Sequence, residues 1–254
     1  MKVVILAGGL GTRISEESRF RPKPLIEIGG MPILWHVMKI FYHQGFNEFI
    51  ICAGYKSESI KRFFQEYALS RSDIEIDFNK GVTKYLNSKT ENWKVTVIDT
   101  GLHSMTGGRI GRIKEYLDDE TFMMTYGDGV SDVDINTLIR FHKKNNATAT
   151  LTSVVPPGRF GELIVENDQV KSFQEKPASS SLINGGFFVL EPEIFSLIRS
   201  DEEIWEQYPL ETLANQDKLF AFKHEGFWHP MDTMKDREYL DSAINNKTAP
   251  WISW

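Results

Sequence analysis

The sequence predicts an α/β fold: a Rossmann-like mixed, mostly parallel central sheet flanked by helices. Three observations point that way. Short, wholly apolar runs such as Val3-Val4-Ile5-Leu6 and Phe49-Ile50-Ile51-Cys52-Ala53 read as strands buried on both faces. Amphipathic stretches at helical spacing separate them. The resulting strand–helix–strand–helix order over the first third of the chain is the pattern of parallel strands joined by crossover helices.

Val3 to Leu6 form the first strand, and the turn Gly8-Gly9-Leu10-Gly11-Thr12-Arg13 follows at once. Prolines on both sides of Lys23, in Arg21-Pro22-Lys23-Pro24, disfavour helix and predict a stiff, extended stretch. Pro32 suits the first helical position. Ile33, Leu34, Val37, Ile40 and Phe41 then make an apolar stripe, and Gly45 ends that helix. The strand Phe49 to Ala53 comes next, followed by a helix from about Ser57 to Leu69. Ile74, Ile76 and Phe78 alternate as in a strand, and the polar stretch from Lys80 to Trp93 reads as a loop or flexible hairpin. Strands are expected at Val95 to Ile98 and Phe122 to Thr125, with a helix from about Gly108 to Leu117 between them. A helix from Asp134 to Lys144 leads into a strand-rich half: Ala147 to Val155, Leu163 to Val165, Val170 to Phe173 and Ile183 to Leu190. Thr233, with Asp236 three residues on, caps a final helix to about Asn246. No repeat or low-complexity linker interrupts the chain, so residues 1–254 are expected to form a single domain.

The bulk numbers exclude several classes. With 29 Lys and Arg against 35 Asp and Glu the net charge is −6, which argues against a surface built to hold nucleic acid. The lone cysteine, Cys52, rules out an intramolecular disulfide or a multi-thiolate metal cage, and its apolar neighbours predict burial. The apolar run after Lys2 is too short for a signal peptide, and no stretch approaches the roughly 20 apolar residues of a membrane span. A cytoplasmic protein with no membrane association is expected. The six histidines show no zinc-ligand spacing, although His103 could lie near a bound ligand. Trp251 and Trp254 end the chain in an apolar tail that would dock on its own core or on a neighbouring subunit, so a homo-oligomer is expected.

The glycine-rich turn is the first candidate site, because ligands of open α/β sheets bind beyond the carboxyl ends of the strands. Its backbone N–H groups suit phosphate oxygens. A Walker loop would need Lys and Ser/Thr after the last glycine, where Thr12-Arg13 stands, and a dinucleotide fingerprint would need a small residue in place of Ile14. A plain tight turn would leave the arginine unexplained.

At this point the residues resemble a family. Leu6-Ala7-Gly8-Gly9-Leu10-Gly11-Thr12-Arg13, with Lys23 ten residues on, is similar to the signature of sugar-1-phosphate nucleotidylyltransferases. Further blocks extend the resemblance over nearly the whole chain: Ser104-Met105-Thr106-Gly107-Gly108-Arg109, Tyr126-Gly127-Asp128-Gly129 and Pro157-Gly158-Arg159-Phe160-Gly161. Phe173-Gln174-Glu175-Lys176-Pro177, Asn184-Gly185-Gly186-Phe187-Phe188, Pro230-Met231-Asp232-Thr233 and Ala249-Pro250-Trp251 continue it. Ser104 to Arg109 above all resembles the bacterial cytidylyl branch; Lys80 to Glu91 matches least. The resemblance implies the nucleotide-diphospho-sugar transferase fold and the reaction of CTP with α-D-glucose 1-phosphate to give CDP-glucose and pyrophosphate. By analogy the product would feed dideoxyhexose synthesis for bacterial surface polysaccharide, such as the O-antigen of lipopolysaccharide.

Both reactants are anions, so positioned cations and a divalent metal would do most of the work. The resemblance makes Arg13 and Lys23 the catalytic cations, Arg13 forking onto the leaving pyrophosphate. Leu6, Ala7, Gly8, Gly9, Leu10, Gly11, Thr12, Ser104, Thr106, Arg109 and Gly127 would complete the nucleotide site. Gly161, Glu175, Lys176 and Asn184 would hold the sugar phosphate. Asp128 and Asp232 would carry Mg2+, although from sequence alone Asp128 could be a turn residue and Asp232 a helix cap. The same chemistry with dTTP or UTP, or a sensor that keeps the pocket without turnover, stays open.

Overall fold

A computed structural model describes residues 1–156, 162–166, 169–174 and 181–254. The chain opens with β1 (Val3–Ala7), every side chain buried, as a strand covered on both faces requires. The turn after it leads into the single helical turn α1 (Ser15–Ser18), the short ladder of β2 (Glu27–Ile28) with β3 (Met31–Pro32), and helix α2 (Ile33–His43). Then come β4 (Glu48–Ala53), α3 (Ser57–Ser70), the hairpin of β5 (Asp73–Asp77) and β6 (Val82–Leu86), and β7 (Lys94–Asp99). α4 (Thr106–Gly111), β8 (Phe122–Tyr126), β9 (Gly129–Ser131), α5 (Ile135–Lys144) and β10 (Ala149–Val154) follow. The remainder holds β11 (Glu162–Glu166), β12 (Gln169–Gln174), β13 (Ile183–Leu190), α6 (Tyr208–Asn215), β14 (Leu219–Lys223), β15 (Trp228–Pro230) and α7 (Met234–Asn245).

Among the described residues seven strands make the central sheet, in the order β14-β10-β13-β8-β1-β4-β7. β1 runs parallel to β4 and β8, β4 to β7, and β10 to β14. Only β13 is reversed against both of its neighbours. The sheet is therefore mixed but mostly parallel, as the sequence predicts. The chain steps outward from β1 to β4 and β7, then returns to the opposite side of β1 for β8. That reversal opens a crevice at the carboxyl ends of β1 and β8.

Alternation along β1 divides the core between the two faces of the sheet. Val3, Ile5 and Ala7 join Phe41, Phe187 and Trp251 on one side; Val4 and Leu6 join Phe122, Phe188 and Trp205 on the other. Cys52 is fully buried, and burial pushes its thiol pKa up to about 12. The aromatic tail docks on its own core: Trp251 stacks on Phe227 at 5.3 Å, and Trp254 meets Trp35 edge-on at 6.0 Å. No helix among the described residues is long and apolar enough to cross a membrane.

Several expectations need correcting. Lys23 lies at the start of a 3-10 turn, Lys23–Leu25, with only Pro22 extended before it. Pro32 stands one residue before α2 rather than inside it. The helix expected from about Gly108 to Leu117 begins at Thr106 and stops at Gly111, with a separate 3-10 turn at Lys114–Tyr116. The polar stretch after Lys80 contributes β6, so the hairpin alternative is the one realised.

Candidate active site

At the crevice between β1 and β8 lies a cavity of about 350 Å3, within the range of small-molecule sites. Fourteen of the sequence-nominated residues line it: Leu6, Ala7, Gly8, Gly9, Gly11, Thr12, Arg13, Lys23, Ser104, Thr106, Arg109, Gly127, Asp128 and Asp232. Leu10 is exposed and does not, and His103 is exposed and also outside the lining. Asn184 lines an adjoining cavity of about 340 Å3, which shares Arg13, Tyr126, Asp128 and Asp232 with the first. Gly161, Glu175 and Lys176 lie outside the described residues. Tyr126, Trp228 and Met105 are lining residues that the sequence reasoning did not nominate. Tyr126 and Met105 sit inside motif blocks that carried the resemblance, a signal that could have found them; Trp228 had none.

The charged heart of the site is Lys23. Its Nζ donates to Asp128 Oδ2 at 2.6 Å and to Asp232 Oδ1 at 2.8 Å. Burial alone would lower the ammonium pKa, but the two carboxylates more than offset that and raise it. Arg13 reaches Asp232 Oδ2 at 3.3 Å while its side chain stays 78% exposed, open to an incoming anion.

The backbone explains how residues so distant in sequence meet. Gly127 N–H donates to the Leu6 carbonyl at 2.9 Å, which seats the end of β8 against the end of β1. β9 pairs with β15 in antiparallel register, Gly129 opposite Pro230, and Met231 N–H donates to the Asp128 carbonyl at 2.8 Å. Asp232 thereby arrives beside Asp128. Thr233, not Asp232, caps α7, in a capping box with Asp236. Asp236 Oδ2 also accepts from the Asp232 N–H at 3.1 Å, and His229 Nε2 meets Asp236 Oδ1 at 3.1 Å. Released from capping, the Asp232 carboxylate faces the cations.

Arg109 has a different setting. It is 5% exposed and its guanidinium is wrapped by oxygens: the Gly8 carbonyl at 3.0 Å, Ala53 at 3.3 Å, Gly101 at 2.7 Å, Leu102 at 3.4 Å and the Thr100 hydroxyl at 2.8 Å. It pins the glycine turn to the ends of β4 and β7. Gly8 has to lack a side chain for this reason, since a Cβ there would stand 2.2 Å from Arg109 Nη1. Desolvation lowers the Arg109 pKa from its ordinary value, yet an arginine stays charged even so.

The donor set also bears on a metal. Asp128 and Asp232 hold the Lys23 ammonium between them at 2.6 and 2.8 Å, with side chains 31% and 18% exposed. Two carboxylates open to solvent on one side suit Mg2+, which takes one or two protein carboxylates and completes its shell with water and phosphate.

A crevice at the strand reversal, a glycine turn and a cation–carboxylate cluster together define a protein that handles nucleotides and their phosphates. Comparison with known proteins narrows this. Residues 2–233 match the family model described as nucleotidyl transferase. A glucose-1-phosphate cytidylyltransferase of Salmonella typhi is 53% identical over 256 aligned residues, covering 100% of both chains. A probable glucose-1-phosphate cytidylyltransferase of Bacillus subtilis is 42% identical, again over 100% of both. The crystal structure of HddC from Yersinia pseudotuberculosis superposes with a TM-score of 0.70 at 25% identity, covering 96% of this chain and 99% of that one. The chain belongs to the nucleotidyl transferase family, and within it to the glucose-1-phosphate cytidylyltransferases.

Proposed function

We infer that the protein transfers a cytidylyl group from CTP to α-D-glucose 1-phosphate, giving CDP-glucose and pyrophosphate. One observation carries the reading beyond the family likeness: Lys23, Asp128 and Asp232 meet at hydrogen-bond distance beside the glycine turn. A phosphate oxygen of the sugar attacks the α-phosphorus of CTP in line; the new P–O bond forms as the bond to pyrophosphate breaks. No side chain is covalently modified. The protein neutralises and aligns two polyanions, which is where such catalysis resides.

The turn from Gly8 to Thr12 offers backbone N–H groups to the triphosphate, and Arg13 receives the leaving pyrophosphate. Lys23 stands where attacking and leaving oxygens pass, so its ammonium offsets charge that develops during transfer. Asp128 and Asp232 would hold Mg2+, which supplies further charge neutralisation to the phosphates when bound. Ser104, Thr106 and Arg109 flank the nucleotide, while Asn184 with Gly161, Glu175 and Lys176 takes the sugar phosphate. A base site with polar partners for the cytosine edge would reject UTP and dTTP by leaving buried groups unpaired.

The test is pyrophosphate release from CTP. It should require both glucose 1-phosphate and Mg2+, and should exceed release from UTP or dTTP by at least about tenfold. Equal turnover of the three nucleotides would refute the CTP assignment while leaving nucleotidyl transfer intact.

The 254 residues act in this reading as one cytoplasmic unit, and the product serves bacterial surface polysaccharide synthesis. Homo-oligomer formation finds its support in the β5–β6 hairpin, since the tail is occupied by its own core. Ile74, Ile76, Phe78, Val82, Tyr85 and Leu86 are all exposed there. A lone two-stranded hairpin is marginal in water, and a second copy of the chain would cover these apolar side chains. Light scattering that returned a monomer mass at assay concentration would remove this part of the reading.

A further inference from the structure

Outside the charged cluster, a row of hydrogen bonds crosses the partition between the two cavities. Its centre is Glu206, in the connection that leads into α6. Glu206 Oε2 accepts from the Thr106 hydroxyl at 2.6 Å, and Oε1 accepts from the Tyr126 hydroxyl. On the nucleotide side, the Trp205 N–H donates to Thr106 Oγ1 at 2.9 Å. On the other side, Asn184 Nδ2 reaches the Tyr126 oxygen at 3.4 Å, and Asn184 Oδ1 accepts from the Gly186 N–H at 2.9 Å.

The direction of every bond in this row is dictated. A carboxylate only accepts, so both hydroxyls must donate to Glu206. A backbone N–H only donates, so the Asn184 carbonyl is occupied by Gly186 and the amide NH2 faces Tyr126 and the cavity. The Tyr126 oxygen can then accept from one Asn184 N–H, which leaves the second N–H for a ligand. The Tyr126 ring is seated against Gly186, whose φ is +81° and where a Cβ would lie 2.5 Å from the ring. The two ends are not equally dependent on Glu206. Thr106 keeps the Trp205 N–H without it, whereas Tyr126 keeps only its long contact to Asn184.

We propose that Glu206 is a positioning residue for the transfer: by accepting a hydrogen bond from the Tyr126 hydroxyl it fixes Tyr126 and Asn184 so that Asn184 offers an N–H donor to a hydroxyl of the sugar phosphate. This rests on the glucose 1-phosphate reading above. Glu206 touches neither reactant itself; it acts through Tyr126 on the sugar side, and much less through Thr106 on the nucleotide side.

Steady-state kinetics of E206A, Y126F and the E206A/Y126F double variant test it, with CTP and glucose 1-phosphate varied in turn. Ala removes both acceptors at once; Gln would not, since its amide oxygen could still accept from the Tyr126 hydroxyl. Each single variant should raise KM for glucose 1-phosphate about tenfold, as expected for one lost hydrogen bond to a charged group, with KM for CTP within about twofold of wild type. The double variant should be no worse than the worse single variant, because both break one row. Melting curves should match wild type, since Glu206 is exposed. Equal rises in both KM values, strictly multiplicative effects in the double variant, or a glucose 1-phosphate KM unchanged in E206A would each overturn the proposal. Wild-type turnover is the control that separates the two claims. If the wild-type protein uses a different sugar 1-phosphate, the glucose reading fails, and the same KM comparison with that substrate still decides the role of Glu206.

Discussion

Arg109 and Lys23 stand on walls of the same cavity, and their surroundings are opposite. Arg109 is held by four backbone carbonyls and one hydroxyl, all neutral, and every contact is to the framework. Lys23 is held by two carboxylates that line the cavity themselves. A guanidinium whose donors are spent on carbonyls cannot turn to a substrate without releasing the turn it pins. An ammonium paired with carboxylates exchanges partners readily, because phosphate oxygens offer it the same kind of acceptor. The resemblance puts Lys23 among the catalytic cations and Arg109 in the nucleotide site; their partners separate them, framework carbonyls for Arg109 and two carboxylates for Lys23.

Lys23→Ala is the strongest way to break this contrast. Turnover should fall by about 10^3-fold, as when a preorganised group serving the transition state is lost. Melting in Mg2+ should stay within a few degrees of wild type; a collapsed fold would make Lys23 scaffold as well. Arg109→Ala should do the reverse and destabilise the chain by about 3 kcal/mol, since several buried carbonyls lose their donor. Urea unfolding reads this directly, and an unchanged midpoint would contradict the scaffold role.

A comparable but pH-dependent effect belongs to His36. It is 3% exposed, with Nε2 against the Ile28 carbonyl at 3.0 Å and Nδ1 accepting from Trp251 at 3.5 Å. Burial lowers its pKa to about 4 from 6.5, despite the Ile28 carbonyl, which favours the charged form. The folded value lies below the unfolded one, so the unfolded chain binds the extra proton. Stability from this group is complete above about pH 6.5 and is lost progressively as pH falls toward 4, by about 3 kcal/mol in all. His36→Phe should flatten that slope in thermal melts between these pH values; an unaltered slope would assign it elsewhere. The smallest effect is that of Asp236→Ala. Losing half of the capping box should cost about 1 kcal/mol, and freeing the Asp232 backbone should raise the Mg2+ concentration for half-maximal rate. A stability loss with an unmoved Mg2+ response would make Asp236 a cap and nothing more.

The buried strands were legible because a parallel strand covered on both faces is a continuous apolar run, as Val3–Ala7 and the Phe49 to Ala53 part of β4 illustrate. The cap of α7 was legible from Thr233 and Asp236 alone. The start of α4 was misread because distant backbone packs on its first turn: a Cβ on Gly108 would stand 2.2 Å from the Asp201 carbonyl oxygen, and one on Gly107 2.7 Å from that of Glu203. β14 and α6 went unread, one a half-exposed edge strand and the other a helix of only eight residues with Pro209 in its first turn. Within the site, motif blocks named the residues but not their partners. Nothing local tells that Arg109 faces carbonyls, or that Glu206, in no motif block, accepts from the Tyr126 hydroxyl.

The short ladder of β9 with β15 bears on when activity can arise. A ribosome-bound chain that has emerged only as far as Gly226 already carries the glycine turn, Lys23 and Asp128. It lacks the strand that delivers Asp232, and so half of the carboxylate pair. The cluster would be completed in one late event, as β15 zips against residues made about a hundred positions earlier.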